Sequence, residues 1–353
     1  MAGAARKGGR VVRGDAVNVP ALESAARDGR VRVAEMQRSR LLGGAVAAVE
    51  ELGWSNVTVA SVASRARVSR KTFYDLFEDR EDCLLAVLKE TSAWIAAELD
   101  AANLAELSWR ERVRTGLWVV LSFFDRESEL ARLCVVQSAR GSQRVLEWRE
   151  QILDRLIAMV DEGRLQSERA AQVPPLTAEG VVGAVIAIVQ RRLQEITGGS
   201  LSELQNELTS IIVLPYLGRA RADRELKHQL GGVDFSLRPD TAAKKTSHPR
   251  PAYHAGEDPL AGVPMRLTYR TARVLEAIAS NPGLSNRVVG ERADVFDQGQ
   301  VSKLLARLKR LGLLTNSGNG QSKGEANAWR LTELGERVTE QLTLGADRHR
   351  EAS

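Results

Sequence analysis

Three side chains near residue 70 have the types and the spacing that suit contacts with a polyanion. The stretch VSRKTFYDLFEDRE, residues 68–81, places cations first, aromatic residues next and acids last. On a helix that begins after Ser69, Arg70 and Tyr74 lie one turn apart and Lys71 adjoins them. Arg and Lys donate to guanine or to phosphate, and a tyrosine hydroxyl suits a phosphate. The pattern therefore indicates a nucleic-acid contact.

The elements around this stretch predict a helix-turn-helix. Apolar periodicity predicts a helix over residues 33–53 and a short helix from Thr58 to about residue 66. Thr58 and Ser69 are both good N-caps, and about two residues separate the short helix from the next one. In such a pair, the N-terminal residues of the second helix enter the major groove. The alternative is a solvated amphipathic helix whose cations are incidental.

Composition and charge permit a nucleic-acid partner in a helical protein. The chain has 353 residues, a length that favours two or three domains. Hydrophobic residues make up 43% and charged residues 27%, which is ordinary for a globular protein. Aromatic residues make up only 5%, which favours helices over a β-sandwich. The net charge of +5 and the pI of about 9.4 are mildly basic.

The residues needed for common catalytic and metal sites are missing from the predicted core. The four histidines lie at a helix end, in a Pro-rich stretch and in the tail, so neither a catalytic triad nor a zinc site is predicted. The glycine cluster SGNGQSKGE, residues 317–325, lacks the strand and helix that flank a phosphate loop. We therefore predict no enzyme activity, no cofactor and no metal.

The chain is predicted to be cytoplasmic. Its first residues, MAGAARKGGRVVRGD, include cations but no apolar segment like that of a secretory signal. No apolar run is long enough to span a membrane. Cys83 and Cys134 lie in amphipathic patterns and are predicted to be buried free thiols, although a redox pair would be possible if they met in space.

The periodicity predicts a mainly α fold that ends in a small α+β domain. Near the C-terminus, three helices, a two-stranded hairpin with a polar tip and a closing helix follow one another, which is the order of a winged helix. The predicted segments are a flexible basic arm (1–32), a helix-turn-helix domain (33–80), a larger helical domain (81–230), a linker (231–263), a winged-helix domain (264–342) and a tail (343–353).

The N-terminal part of the sequence resembles the DNA-binding domain of TetR-type transcriptional regulators. The resemblance rests on MQRSRLL at 36–42, Gly53-Trp54, TVASVA at 58–63, VSRKTFY at 68–74 and Phe77. It is strong over residues 33–85 and weak onward to about residue 225. The resemblance implies an all-helical homodimer in which the N-terminal domain binds a palindromic operator and the larger domain binds a small effector.

Carried over by position, the resemblance implies a set of DNA contacts. Arg80 stands where the family usually has a lysine that meets phosphate. Arg67 stands where the family often has a turn glycine, so a positive φ would strain this residue, although its side chain could reach a phosphate. The implied contacts are Thr58, Arg67, Ser69, Arg70, Lys71, Thr72, Tyr74 and Arg80.

Two helices near residues 177–197 and 201–214 fit the family's dimerisation pair. The first is so apolar, with Val181, Val185 and Ile188 among its residues, that we expect it to be covered on more than one side. The alternative is a pair of ordinary core helices. The family's effector pocket would lie among the helices of residues 80–170, but the aromatic residues there are equally explained as core, so no ligand site is assigned.

The C-terminal domain is similar to the winged helices of MarR-type regulators. Its recognition helix and wing would present polar and cationic side chains to a partner. The predicted second set of DNA contacts is Gln298, Gln300, Ser302, Lys303, Arg307 and Lys323. Winged helices also bind proteins, so this domain has two possible partners.

The working hypothesis from sequence is a dimeric, ligand-responsive DNA-binding transcriptional regulator, and specifically a repressor. Its partners would be a double-stranded operator, a second copy of the chain and a small effector, with no membrane. The alternative is a protein-interaction adaptor whose winged helix binds a partner protein instead of DNA.

Overall fold

The protein, seen in a computed structural model, is mainly helical. The structure describes residues 19–168, 170–195, 199–229, 268–318 and 327–340. These residues fall into two compact units, one between Met36 and Leu267 and the other combining residues up to Glu35 with residues from Thr268 onward. Among the residues described, no helix is both long enough and apolar enough to cross a membrane.

The N-terminal two-thirds of the chain form a succession of helices with short connections. Between α6 and α7 the chain follows a π-helical stretch, Arg132–Gln137, and a 3-10 turn, Ser138–Arg140. The helices are α1 (Val19–Leu52), α2 (Val59–Arg65), α3 (Arg70–Leu76), α4 (Arg80–Ala101), α5 (Trp109–Arg126), α6 (Ser128–Ala131), α7 (Gln143–Asp161), α8 (Thr177–Gln194), α9 (Gln205–Leu217) and α10 (Arg219–Glu225).

The first helix begins earlier than its periodicity predicts. The flexible arm predicted over residues 1–32 is helical from Val19 onward. This segment lacks an apolar stripe, but Ala, Leu, Glu and Arg are strong helix formers, and Pro20 falls in the first turn, where a missing N–H is tolerated. Residues 1–18, the predicted linker 231–263 and the predicted tail lie outside the described part of the chain.

The first three helices share a core that extends into the rest of the first unit. Leu41, Leu42 and Ala45 of α1 are fully buried. They belong to one cluster with Val62 of α2 and Phe73 of α3, and α4 and α5 contribute to the same cluster. The helix-turn-helix therefore rests on the larger helical domain through a continuous apolar core.

Asp125, at the end of α5, caps the segment that leads into α9. It accepts hydrogen bonds from the Ser200 hydroxyl and from the main-chain N–H groups of Leu201 at 2.6 Å and Ser202 at 3.0 Å. Burial acts against ionisation of this carboxyl, but these hydrogen bonds outweigh it and lower its pKa. Ser200 itself makes no side-chain cap at this helix start, so a carboxylate from another helix takes that role.

Glu225, at the end of α10, is a fully buried carboxylate held by two arginines of α5. Arg114 donates from Nε at 2.9 Å and also from Nη2. Arg110 lies 3.4 Å away, measured from its Nε to Oε1 of Glu225. The side chain of Glu225 is 0% exposed and that of Arg114 is 11% exposed, so this ion pair fastens α10 to α5 in a site with little water.

The second unit combines helices with a short sheet. Its elements are α11 (Tyr269–Ser280), α12 (Asn286–Arg292), α13 (Gln298–Arg310), β1 (Leu314–Asn316), β2 (Trp329–Leu331) and a helical segment over residues 333–340. The strands are antiparallel, with Leu314 opposite Leu331 and Asn316 opposite Trp329. Val301, Leu305 and Leu308 form the buried face of α13, as predicted.

Candidate nucleic-acid interface

The two helices of the helix-turn-helix are set by a close approach to α1. A Cβ added at Gly44 would lie 2.8 Å from the carbonyl oxygen of Val62 and 2.9 Å from the main-chain nitrogen of Ala66. Real Cβ atoms do not approach backbone that closely, so only glycine lets α1 meet α2 at this distance. The contact fixes α2, and through its short connection it also fixes α3.

Both helices begin at the N-caps that the sequence predicts. The Thr58 side chain accepts from the N–H of Ser61 at 3.1 Å, and the Ser61 hydroxyl accepts from the N–H of Thr58 at 3.0 Å. The Ser69 hydroxyl accepts from the N–H of Thr72 at 3.0 Å and lies 2.8 Å from its hydroxyl. These side chains are therefore already used in positioning the helix starts.

The face of α3 opposite its buried Phe73 is open and cationic. Arg70 and Lys71 are exposed, and neither makes an ion pair with another described residue. Tyr74 is 60% exposed, and its ring packs edge-on against Phe73 with 5.6 Å between the ring centroids. The structure thus brings these three predicted residues together on one rigid, solvent-facing surface.

The sequence and fold of this segment point to one protein family. Residues 41–87 match the family model described as bacterial regulatory proteins of the tetR family. This segment is a TetR-type N-terminal domain. The match covers α2, α3 and the adjoining parts of α1 and α4, and it leaves most of the chain unassigned. A search of curated proteins gave no match.

Several solved structures are similar to about half of this chain. The fatty acid degradation regulator FadR from Bacillus halodurans is 16% identical, with a TM-score of 0.46 over 52% of this chain and 97% of its own. A TetR-like regulator from Rhodococcus sp. RHA1 is 20% identical, with a TM-score of 0.45 over 52% and 97%. FadR from Bacillus subtilis, solved with stearoyl-CoA, is 18% identical, with a TM-score of 0.42 over 51% and 98%.

Two arginines of the TetR-type domain occupy positions that the sequence singled out. Arg67 has a φ of +52°, so the turn does take the left-handed conformation that favours glycine. Arg80 donates from Nη1 to the carbonyl oxygens of Ser55, at 3.2 Å, and of Val57. Its guanidinium therefore holds the loop before α2, a role that the sequence did not reveal.

A carboxylate joins the TetR-type domain to the loop before α7. Glu81 accepts from the indole N–H of Trp54 at 3.2 Å and from the main-chain N–H of Ser142 at 3.4 Å. Asp79, the N-cap of α4, accepts from Arg144 at 2.7 Å. A displacement of Ser142 or of the first turn of α7 would therefore disturb contacts at the base of the TetR-type domain.

The second predicted contact set is only partly free in the structure. Gln300 is held by Arg270, which donates to its amide oxygen, and its amide nitrogen donates to Asp297 at 3.0 Å. Ser302 accepts from Asn286 at 3.0 Å. Gln298, Lys303 and Arg307 are exposed on α13, whereas Lys323 lies outside the described residues.

One exposed residue on this surface was not predicted from sequence. Phe296 lies just before Asp297, the N-cap of α13, and its side chain is 84% exposed. A residue in this place often packs onto the fourth residue of the helix, here Val301. The signal in the sequence was the position of this large apolar residue, directly before an N-cap. A residue there raises the question of whether it packs on the helix that follows.

Neither the thiols nor the carboxylates suggest a reactive centre. No group of three or more His, Cys, Asp or Glu residues suited to a metal ion occurs in the ranges that the structure describes. Cys83 and Cys134 are free, and burial raises the pKa of both thiols, that of Cys134 to about 12. Such thiols are protonated at neutral pH and are poor nucleophiles.

Proposed function

We propose that the chain is a ligand-responsive transcriptional regulator that binds a palindromic DNA operator as a homodimer and acts as a repressor. The open cationic face of α3 carries this proposal. Arg70 and Lys71 are unpaired with described acids, and Tyr74 projects beside them. Phosphates and guanine edges would pair with these exposed cations.

The remaining predicted contacts take supporting positions around that face. Thr58 and Ser69 lie at the helix N-termini, where main-chain N–H groups favour phosphate. Thr72 lies one position after Lys71 on α3 and completes the reading surface. Arg67 precedes α3 in the turn and reaches a neighbouring phosphate. Arg80 contributes charge near the backbone of the operator while it holds its loop.

The outward face of α8 supports a dimer. Extra Cβ atoms at Gly180 and Gly183 would have no atom within 4 Å, and Ala184 and Ala187 on the same face are exposed. Val182, by contrast, points into the subunit's own core. Small side chains along one stripe allow the close approach of a second helix, so this face is the place for a partner copy.

The α9 helix continues that surface. Leu214 is 47% exposed and Pro215 is exposed beside it, near the end of α9. The predicted pair of dimerisation helices, 177–197 and 201–214, corresponds to α8 and α9. A pair of helices from each subunit would bury these surfaces in a four-helix arrangement.

The helical domain from α4 to α10 is the place for the effector. Its aromatic side chains include Trp94 and Phe123, whose ring centroids lie 4.8 Å apart edge to face. An effector that binds one arrangement of these helices better than another shifts the population of the dimer. The shift reaches the DNA-binding domain through Glu81 and Asp79, so the two α3 helices no longer match adjacent half-sites.

The second unit is proposed to be a winged helix that binds DNA as a second reading head. Three helices, a two-stranded hairpin and a closing helical segment agree with that fold, and α13 carries four cations without an acid. The alternative function is a protein-interaction adaptor. In that case a chain ending at residue 263 keeps full operator affinity, because the second unit never touches the operator.

The test is a gel shift on the DNA upstream of the protein's own gene. The double variant Arg70→Ala and Lys71→Ala removes two charges from α3 and is expected to abolish specific binding to the palindromic half-sites that α3 reads. The matched control, Arg219→Ala and Lys227→Ala, removes two charges from an exposed part of the helical domain and is expected to keep it. Circular dichroism checks that all proteins are folded.

Two results would refute the proposal. One is a folded dimer that binds no DNA sequence specifically, even at low ionic strength, where phosphate contacts are strongest. The other is unchanged specific binding by the α3 double variant, which would place the reading surface elsewhere.

A further inference from the structure

Phe296 is an apolar side chain held in solvent although an apolar neighbour is nearby. Val301, the residue it would ordinarily cover, is fully buried without it. A Cβ added at Gly290 of α12 would lie 3.1 Å from a methyl of Val301. The helix α12 therefore packs directly against Val301, which is covered without Phe296. Val295, the preceding residue, is buried instead. The phenyl ring is therefore presented outward by the packing beneath it.

The helix behind this ring is strongly cationic. Lys303, Arg307, Lys309 and Arg310 are the charged residues of α13, and the helix contains no acid. None of the four makes an ion pair with a carboxylate among the described residues. The adjacent Asp297 is occupied, because it accepts from the N–H and the side-chain amide of Gln300. This charge pattern complements a polyanion.

One uncommitted side-chain amide lies two residues after Phe296 in the chain. Gln298, the first residue of α13, is exposed, and its side chain makes no hydrogen bond with any other described residue. Gln300, by contrast, is held by Arg270 and Asp297. Of the two glutamines at the start of α13, only Gln298 keeps both its amide donor and its amide acceptor available for a ligand.

The frame around these residues is rigid. Asn286, the first residue of α12, accepts from the Trp329 indole N–H at 2.6 Å and from Asn327 at 3.0 Å. Its own amide nitrogen donates to Ser302 of α13 at 3.0 Å. One side chain thereby ties α12, α13 and the hairpin together, which fixes the start of α13 for recognition.

We propose that Phe296 and Gln298 read an A·T step in the major groove of duplex DNA. The phenyl ring would pack on the 5-methyl group of thymine, and the amide would bond N6 and N7 of an adenine, while the cations of α13 meet phosphates. This inference rests on the proposed function, since it assigns the sequence preference of the second reading head. Gln300 has no part in it.

The test is selection of binding sequences from a randomised duplex library with the full chain. Wild type is compared with the α3 double variant, Arg70→Ala and Lys71→Ala, in which only the second head reads sequence. The α3 variant is expected to enrich sites that contain an A·T step. Adding Phe296→Ala should relax the preference at the thymine, and adding Gln298→Ala the preference at the adenine, each by roughly tenfold.

A methyl deletion in the DNA isolates the contact of the ring. Replacing the selected thymine by deoxyuridine should weaken binding of the Phe296-containing protein by roughly tenfold and leave Phe296→Ala unaffected. Leu165→Ala is the matched control, because Leu165 is equally exposed, at 85%, in the other unit. It should behave as the parent protein, and thermal unfolding of each variant checks folding.

The outcomes separate this inference from the proposed function. If wild type selects a palindrome and the α3 variant selects nothing, the second unit reads no sequence; this inference then fails, while the reading surface proposed for α3 stands. If Phe296→Ala and deoxyuridine weaken binding independently, the ring does not contact the methyl group and the inference is overturned. If wild type itself selects nothing, both proposals fail.

Discussion

Replacing Glu225 by glutamine should destabilise the helical domain far more than an ordinary surface change. The glutamine keeps the shape of the side chain but removes the charge that Arg114 and Arg110 share. Removing one member of a buried ion pair costs about 3–5 kcal/mol, because the other charge is left in a poorly hydrated site. Arg114 is only 11% exposed and stays poorly hydrated, whereas Arg110 is 28% exposed and reaches water.

We therefore expect a loss near the lower end of that range, about 3 kcal/mol of unfolding free energy. For a unit of this size, that loss lowers Tm by about 6–12 °C. Thermal unfolding followed by far-ultraviolet circular dichroism measures it, with Glu129→Gln, an exposed glutamate, as the control. Arg110→Ala should cost less than Glu225→Gln, since its guanidinium is the more hydrated of the two.

A second pair of variants shows whether the orphaned charge is the cause. Arg114→Met combined with Glu225→Leu removes the buried charges together and should recover most of the lost stability. A Tm for Glu225→Gln that matches the Glu129→Gln control would refute the reasoning. So would a combined variant that is no more stable than Glu225→Gln, because packing rather than charge would then decide the effect.

Three further changes probe the DNA-binding domain and the proposed dimer. Gly44→Ala forces α1 from the backbone at Val62 and Ala66, so unfolding free energy should fall by about 1–3 kcal/mol and operator binding should weaken in a gel shift. Arg67→Gly relieves a positive φ and should raise stability by about 0.5–1 kcal/mol in thermal unfolding while lowering operator affinity; unchanged stability would argue against strain. Gly183→Trp points a large ring outward from α8 and should yield folded monomers in sedimentation, whereas an intact dimer would place the interface elsewhere.

Sequence patterns predicted the structural features that depend on residues close to one another in the chain. Thr58 and Ser69 were predicted as N-caps, and each caps its helix. The match of residues 41–87 to the tetR family confirms the resemblance for that segment. The positive φ of Arg67 was also expected, because the family that the segment resembles often has a turn glycine at this position.

Sequence patterns did not predict contacts between residues that lie far apart along the chain. Glu225 and Arg114 are 111 residues apart, and Asp125 caps a segment that begins 75 residues later. No local sequence pattern indicates either contact. Arg80 was predicted as a phosphate contact, and no local pattern indicated that its guanidinium also donates to carbonyl groups about 25 residues earlier. The helix over residues 19–32 was not predicted for another reason: a helix without an apolar stripe gives no periodic hydrophobic signal.

The junction made by Glu81 and Asp79 limits how freely this TetR-type domain can be exchanged. The family match ends at residue 87, within α4, yet partners of this junction lie at Ser142 and Arg144. A chimera that transplanted residues 41–87 alone would leave the indole of Trp54 bonded to a carboxylate whose second partner belonged to another protein. A segment transferred by recombination or design would therefore keep these contacts only if it also carried Ser142 and Arg144. The sequence limits of the family match do not coincide with the limits of the contacts that hold the domain in place.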